Sequence, residues 1–468
     1  MGPLAAARAS SGEAAAGHRR AADTTKRPQT ESTGGTSRVK IKAQAGVLAK
    51  LLQIVTRAVS NRSTIQLLSA VLFEAEGGLL KMSATDMELS ISVAGRTEIE
   101  EEGRTAIPAR VLLEVVRSLP DGEISLRAED GKASLAHGNN LYGFRTYDPK
   151  DFPVPAAFPS GAEGSGAPSF AVPIADLADT VQKVLPCVSK DEQRPVLTGV
   201  LVSFEDGRVR MVATDAYRMA MNAASLEGAP AQAGRAIIPG RALKEVARLS
   251  ELAKEVRVAL TENAAMFLVG GVTLSTRLVD GNYPEYRRML PNAFAEEFSV
   301  DRAALLDSLK RVNLFAGRQT PPVPIRLSFS HPEGTLTGGE LSVSVESSET
   351  GGAVEKVAAE VEEGKEFAAC FNPQYLLDGA ASVPAKRVLF RLNDPQKPAV
   401  LCDGNAPEGT APRGDTDAKP GAEKEEKEGK GAESETSTTT TTTTNAVLDA
   451  PGFSYLIMPM RDPSRQKA

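Results

Sequence analysis

The sequence contains no tryptophan, three histidines and three cysteines in 468 residues, and each shortage closes a line of interpretation. With only 15 Phe and 7 Tyr the cores must be mainly aliphatic. His18, His137 and His331 are scattered, which excludes a histidine-based metal site. Cys187, Cys370 and Cys402 are widely spaced and odd in number, so neither a disulfide framework nor a CxxC zinc pair is available, as suits a reducing cytosol. No apolar run approaches the roughly 18 residues a membrane span needs. The first 37 residues lack the apolar stretch of a secretory signal, and Glu13, Asp23 and Glu31 argue against a transit peptide, so 1–37 is expected to be a disordered extension. Phosphate-loop, dinucleotide, zinc-protease and serine-hydrolase motifs are all missing, and nothing supplies a nucleophile with a base at workable spacing. Neither an enzyme nor a cofactor is expected.

What is present is a repeat of about 130 residues. Three pieces recur in order. The first is an amphipathic helix: "AGVLAKLLQIVTRAVSNR", "IADLADTVQKVLPCVSKDE" and "DRAALLDSLKRVNLFAGR". In the first of these, Leu48, Leu51, Leu52, Val55 and Val59 share one apolar face. The second piece is an alternating strand at a turn: "LLKMSATDMELSISV", "VRMVATDAYRMAMN" and, more loosely, "GELSVSVESSETGGAVEKV". The third is a short helix opened at Pro108, Pro239 or Pro373, where a first helical turn needs no N–H. Asp86 and Asp215 stand 129 positions apart. The predicted units are 38–154, 169–291 and 297–461, with linkers at 155–168 and 292–296 and a tail at 462–468. Short alternating strands outnumber the two helices of each unit, which predicts an α+β fold with two helices packed on antiparallel sheets. Residues 405–446 are polar and low in complexity, and are expected to be a disordered insert between the last two strands.

Charge is segregated. The six helical segments and their flanks carry a net +8 in a chain whose total is −6, leaving −14 elsewhere. A weakly basic set of helices on an acidic body fits contact with a polyanion. The repeated aspartates, Asp86 and Asp215, together with Asp280 could suggest a metal-dependent hydrolase. Each "ATD" is followed by a resumed strand, however, so a turn-forming role is favoured.

"VLTGVLVSF", "VRMVATDAYRMAM", "TRLVDGNYPEYRRMLP", "FNPQYLLDG" and "YLIMPMR", with "LLKMSATDMELSISV" and "TAIPARVLLEVVRSLP" in the first unit, resemble the bacterial DNA polymerase III beta subunit, the sliding-clamp family. The resemblance spans about 38–461 apart from the insert. It implies three tandem clamp domains per chain and a head-to-tail homodimer whose helices line a ring. It also implies a non-catalytic, cytoplasmic, nucleoid-associated protein with no membrane attachment. The implied partners are double-stranded DNA, a second copy, the polymerase III alpha subunit, the clamp loader and other proteins bearing a clamp-binding motif.

Carried over by position, the implied partner pocket comprises Leu197, Thr214, Ala216, Tyr217, Arg218, Met219, Pro284, Arg288, Met289, Asn372, Tyr375, Leu456, Ile457, Met458, Pro459, Met460 and Arg461. The implied DNA contacts are Arg62, Lys190, Arg194 and Arg318, and the implied dimer contacts are Tyr142 and Phe144 against Leu314 and Phe315. Three departures stand out: Ala216 where the family often has glycine, Pro195-Val196 where some members carry tyrosines, and the extra "DPSRQKA" after Arg461. In the last strand, Tyr455 and Ile457 should face one way and Leu456 and Met458 the other, with pairing lost at Pro459.

Overall fold

A computed structural model describes residues 38–60, 64–159, 169–205, 208–225, 227, 232–291, 293–316, 322–331, 338–361, 365–403 and 452–462. The expectations for 1–37, 160–168, Asn292, 405–446 and 463–468, and for Arg62 and Arg318, lie outside the described residues.

The first repeat runs β1 (Val39–Gln44), α1 (Ala45–Val55), β2 (Ala70–Glu76), β3 (Leu79–Thr85), β4 (Leu89–Arg96), β5 (Glu98–Glu101), β6 (Gly103–Pro108), α2 (Ala109–Ser118), β7 (Glu123–Glu129), β8 (Lys132–His137) and β9 (Asn140–Arg145). The second runs β10 (Ser169–Pro173), α3 (Ile174–Val184), β11 (Gly199–Glu205), β12 (Arg208–Thr214), β13 (Arg218–Ser225), β14 (Gln232–Pro239), α4 (Gly240–Ala247), β15 (Glu255–Leu260), β16 (Ala264–Val269) and β17 (Val272–Arg277). The third runs β18 (Glu296–Asp301), α5 (Arg302–Ala316), β19 (Ile325–Ser330), β20 (Gly339–Ser347), β21 (Gly351–Glu360), β22 (Glu366–Phe371), α6 (Pro373–Ser382), β23 (Arg387–Leu392), β24 (Ala399–Asp403) and β25 (Gly452–Ile457).

The three share one topology. Each has a first antiparallel ladder, ordered β6-β2-β3-β4, β14-β11-β12-β13 and β22-β19-β20-β21. Each also has a second ladder, ordered β1-β7-β8-β9, β10-β15-β16-β17 and β18-β23-β24-β25. The two helices of each repeat pack on one another. Their apolar stripes are what the sheets cover: Leu48, Leu52 and Val55 of α1 are fully buried, while Leu51 and Val59 are partly buried against the same core. Burying a leucine of this kind contributes about 1.5–3 kcal/mol. Pro108 and Pro239 prove to be the residues just before α2 and α4, whereas Pro373 is the first residue of α6.

Repeats are joined by strand pairing. The last strand of one first ladder pairs with the last strand of the next second ladder: β4 with β17, and β13 with β25. Both joints are antiparallel, and they turn neighbouring repeats into continuous sheets. Charged contacts reinforce the first joint, where Arg241 pairs with Asp86 and Arg57 reaches Glu245 at 3.4 Å. All three cysteines are buried, and burial pushes the Cys402 thiol up to about 11. No helix among the described residues is long and apolar enough to cross a membrane.

Candidate functional site

The turn before β13 organises the second joint. Asp215 accepts hydrogen bonds at Oδ1 from the backbone N–H groups of Tyr217 and Arg218, both at 3.0 Å, and Thr214 Oγ1 accepts from Ala216 N at 3.1 Å. The turn before β4 is built the same way, with Asp86 Oδ1 accepting from Glu88 and Leu89 and Thr85 Oγ1 from Met87. The repeated aspartates are therefore turn formers, as favoured from the sequence. Their second oxygens are engaged by Arg218 and Arg241. Among the described residues no cluster of three or more His, Cys, Asp or Glu could hold a metal. In both turns the residue after the aspartate is left-handed, with φ of +79° at Met87 and +76° at Ala216. A non-glycine residue loses about 1–2 kcal/mol in that conformation, and glycine's greater unfolded-state freedom returns about 0.4–1 kcal/mol. Ala216→Gly should accordingly raise stability by about 0.5–1 kcal/mol, read as a higher urea midpoint.

Arg218 is the centre of the joint, with its side chain only 10% exposed. Its Nε donates to Asp215 Oδ2 at 2.9 Å and its Nη1 to Asp378 Oδ2 at 2.5 Å, so carboxylates from two repeats share one guanidinium. The guanidinium carbon lies 4.2 Å from the centre of the Tyr375 ring, in cation–π geometry. The Tyr455 hydroxyl, 3.3 Å from Nη1, donates to the Tyr375 carbonyl at 2.9 Å. Burial works against the Arg218 charge, but the Tyr455 hydroxyl and the Asp378 carboxylate outweigh it and raise its pKa. Burial likewise pushes the Tyr455 hydroxyl up, so it remains a donor. Gly379 of α6 lets that ring approach, since a Cβ there would meet it at 2.7 Å.

Beside this network lies a small apolar cluster separate from the main core. Leu201, Met219, Ile237, Tyr286, Val400 and Leu456 are among its members, with Val196 and Tyr283 packed at its edge. Tyr217, Met289 and Met458 stand 60%, 47% and 42% exposed on the segments that frame it. Met458 N donates to the Tyr217 carbonyl at 2.9 Å, which ties the chain after β25 to the turn. Arg288 and Arg461 are exposed, and Pro284, Pro459 and Met460 are half-buried. A buried apolar cluster flanked by exposed Tyr217, Met289 and Met458, with Arg288 and Arg461 nearby in exposed positions, gives a surface suited to a short apolar peptide segment.

Three family models match the chain in order. They are described as the N-terminal, central and C-terminal domains of the DNA polymerase III beta subunit, over residues 39–156, 171–285 and 287–411. The chain belongs to that family. It is 30% identical over 369 residues to the beta sliding clamp of Streptomyces coelicolor, covering 78% of this chain and 93% of that protein. It is 29% identical over 390 residues to that of Synechocystis, covering 78% and 95%. Among solved structures it matches a Caulobacter crescentus beta sliding clamp with a TM-score of 0.73 at 26% identity, covering 91% of this chain and all of that one. It also matches a Pseudomonas aeruginosa sliding clamp bound to griselimycin, with a TM-score of 0.72 at 26% identity, covering 92% and 100%.

Some positions carried over from the sliding-clamp resemblance are placed differently from what sequence alone suggested. Ile457 is fully buried with Tyr455 in the main core and offers no surface to a partner. Leu197, Thr214, Met219 and Leu456 are also buried, Met219 and Leu456 within the small apolar cluster. Arg218 is spent on two carboxylates, and Asn372 Oδ1 caps α6 by accepting from Gln374 N and Tyr375 N. On β9, Phe144 is buried at 9% exposure and Tyr142 packs partly against the core, while Leu141 is 72% exposed. Leu314 and Phe315 are 76% and 37% exposed at the end of α5.

The helices are not uniformly basic either. Asp176 and Asp179 lie on the exposed face of α3, whereas Arg241, Lys244 and Arg248 form one exposed stripe along and just beyond α4. That stripe was hidden in a net count over the segment, although its spacing of three and four residues was readable. Lys190 joins Arg241 and Lys244 around a cleft of about 1110 Å³ between the first two repeats. Arg194 pairs with Asp191 at 3.0 Å.

Proposed function

We propose that two copies of the chain close head to tail into a ring around duplex DNA, and that the groove at the second joint holds replication proteins by short peptide motifs. One observation carries this reading. Among the described residues, joining β4 to β17 and β13 to β25 leaves one first-ladder edge and one second-ladder edge without the equivalent partner. These are β21, paired outside its own ladder only through Ala359 and Glu360, and β9. The same antiparallel joint between β21 of one copy and β9 of another, made twice, closes a six-domain ring.

The two edges are complementary in chemistry. Leu314, Phe315 and Val354, which is 67% exposed, lie on the α5 and β21 side, and Leu141 with Tyr142 lies on β9, backed by Phe144. On the first side Glu346, Glu349, Glu355 and Glu360 stand against Lys356 and Arg311, with Glu355 paired to Arg311 and Glu360 to Arg387. The cleft beside β9 is lined by Arg127, Lys132 and Arg145 against Glu129. Such pairing favours the correct register and speeds encounter. The clamp domains are taken as 38–154, 169–291 and 297–461.

DNA contact is assigned to exposed cations on the helices and on the segments beside them: Lys50, Arg110 and Arg117, the α4 stripe, and Lys190 and Arg194, with Arg62 and Arg318 added from the resemblance. Phosphate contacts carry no base sequence, so the ring can slide. Replacing Lys244 and Arg248 together with alanine should lower affinity equally for all sequences and flatten the slope of log K against log salt by about 0.9 per cation. Filter binding across a salt series measures it.

The groove is assigned to the polymerase III alpha subunit, the clamp loader and other proteins with clamp-binding motifs. Tethering would keep the polymerase at high effective concentration near the primer end. The protein itself performs no chemistry on DNA and works in the cytoplasm at the nucleoid. Primer extension by the replicative polymerase and its loader, with excess trap DNA, tests this reading. Wild type should extend product length greatly, and Met289→Glu with Met458→Glu should not. Equal products with and without wild type would refute it.

A further inference from the structure

We infer that the ion pair between Arg326 and Asp462 is a latch that positions the groove's outer wall, which makes both positioning residues for partner binding. The inference rests on the groove assignment above.

The wall is the short strap that follows β25, Met458 to Asp462. Its first fixed point is the bond from Met458 N to the Tyr217 carbonyl. Pro459 offers no N–H. The second fixed point is Met460 N, which donates at 2.7 Å to the Cys370 carbonyl on β22. β22 is the terminal strand of its sheet, so the strap docks on an otherwise open edge. Pro459 to Asp462 of the strap line one side of a hollow of about 390 Å³, with Cys370, Pro395 and Gln396 among the residues facing them. With a hollow along one side, the strap depends strongly on its fixed points to hold position.

Asp462 supplies a third fixed point. It reaches past β22 to Arg326 on β19, and Arg326 stands directly across from Cys370 in the strand register. Backbone bond and ion pair therefore hold the strap to two adjacent strands at the same level. The Asp462 side chain is 18% exposed and that of Arg326 is 40% exposed, so the pair is partly shielded from water. Asp462 opens the extra C-terminal segment, so this fixing point follows the arginine at the end of the "YLIMPMR" motif. Freeing it should let Met458, Met460 and Arg461 wander from the positions in which they meet a peptide.

The test uses the full chain in four forms: wild type, Asp462→Asn, Arg326→Gln and the reversed pair Arg326→Asp with Asp462→Arg. Hydrogen exchange read on the 453–462 fragment should be faster in both single variants and restored in the reversed pair. A labelled peptide carrying the C-terminal residues of the replicative polymerase should bind about three- to fivefold more weakly to each single variant. The reversed pair should recover wild-type affinity, and the difference should vanish at about 1 M salt, where the pair is screened. Unchanged exchange in the single variants, or a reversed pair no better than they are, would overturn the latch. Faster exchange with no peptide binding even by wild type would leave the latch standing and refute the groove assignment instead.

Discussion

A chain carrying Leu314→Asp should sediment as a monomer at concentrations where wild type is a dimer. Leu314 is 76% exposed in the single copy and adjoins the turn into β21, where Thr350 Oγ1 donates to the Phe315 carbonyl at 2.5 Å. In the proposed ring this leucine would be covered by β9 of the second copy, and a carboxylate there would lose its water without gaining a partner. An unpaired polar group buried in this way costs about 2–3 kcal/mol. The ring contains the contact twice, so the dissociation constant should rise roughly a thousandfold or more. Because the residue is exposed in the single copy, the thermal unfolding of each copy should hardly change. Leu79→Asp, at an exposed leucine (45%) away from both open edges, is the control and should leave the dimer intact. Analytical ultracentrifugation over a dilution series reads both variants.

Arg218→Ala should destabilise the second joint by about 2–4 kcal/mol, because it leaves two largely shielded carboxylates without their cation. Asp215 and Asp378 come from different repeats and are only 13% and 23% exposed, so neither can turn freely to solvent. Lysine is a poor substitute, since it cannot serve both carboxylates in fork geometry or lie flat on Tyr375. Neutralising the whole group, with Arg218→Met, Asp215→Asn and Asp378→Asn, should recover much of the loss, because the charges then need no compensation. Urea denaturation separates these outcomes. A mild effect from Arg218→Ala would mean that the strand pairing of β13 with β25 holds the joint alone.

What could be read from sequence was local. The helix faces follow from the spacing of Leu48, Leu52 and Val55, and the turn aspartates from the resumption of alternating residues after Asp86 and Asp215. The equal spacing of these pieces exposed the threefold repeat. The alternation in β25 put Tyr455 and Ile457 on one face and Leu456 on the other, and they do enter different clusters. Alternation cannot say which face meets solvent, however. Tyr142 and Phe144 share a face of β9, and only the pairing of β9 with β8 turns that face inward and Leu141 outward. Asp378 gave no signal, because one acid in a short helix becomes meaningful only when packing across 160 positions brings Arg218 to it. The latch partner Arg326 was equally silent, being an ordinary alternating residue until Asp462 folds over β22.

Closure around DNA is tested most directly by loading onto circular DNA. The chain is loaded by its clamp loader onto a nicked circular plasmid, isolated, and followed after a single restriction cut. A closed ring predicts stable retention on the circle and rapid loss once ends appear, with the loss prevented by a protein block at each end. Retention on the open linear DNA would contradict it.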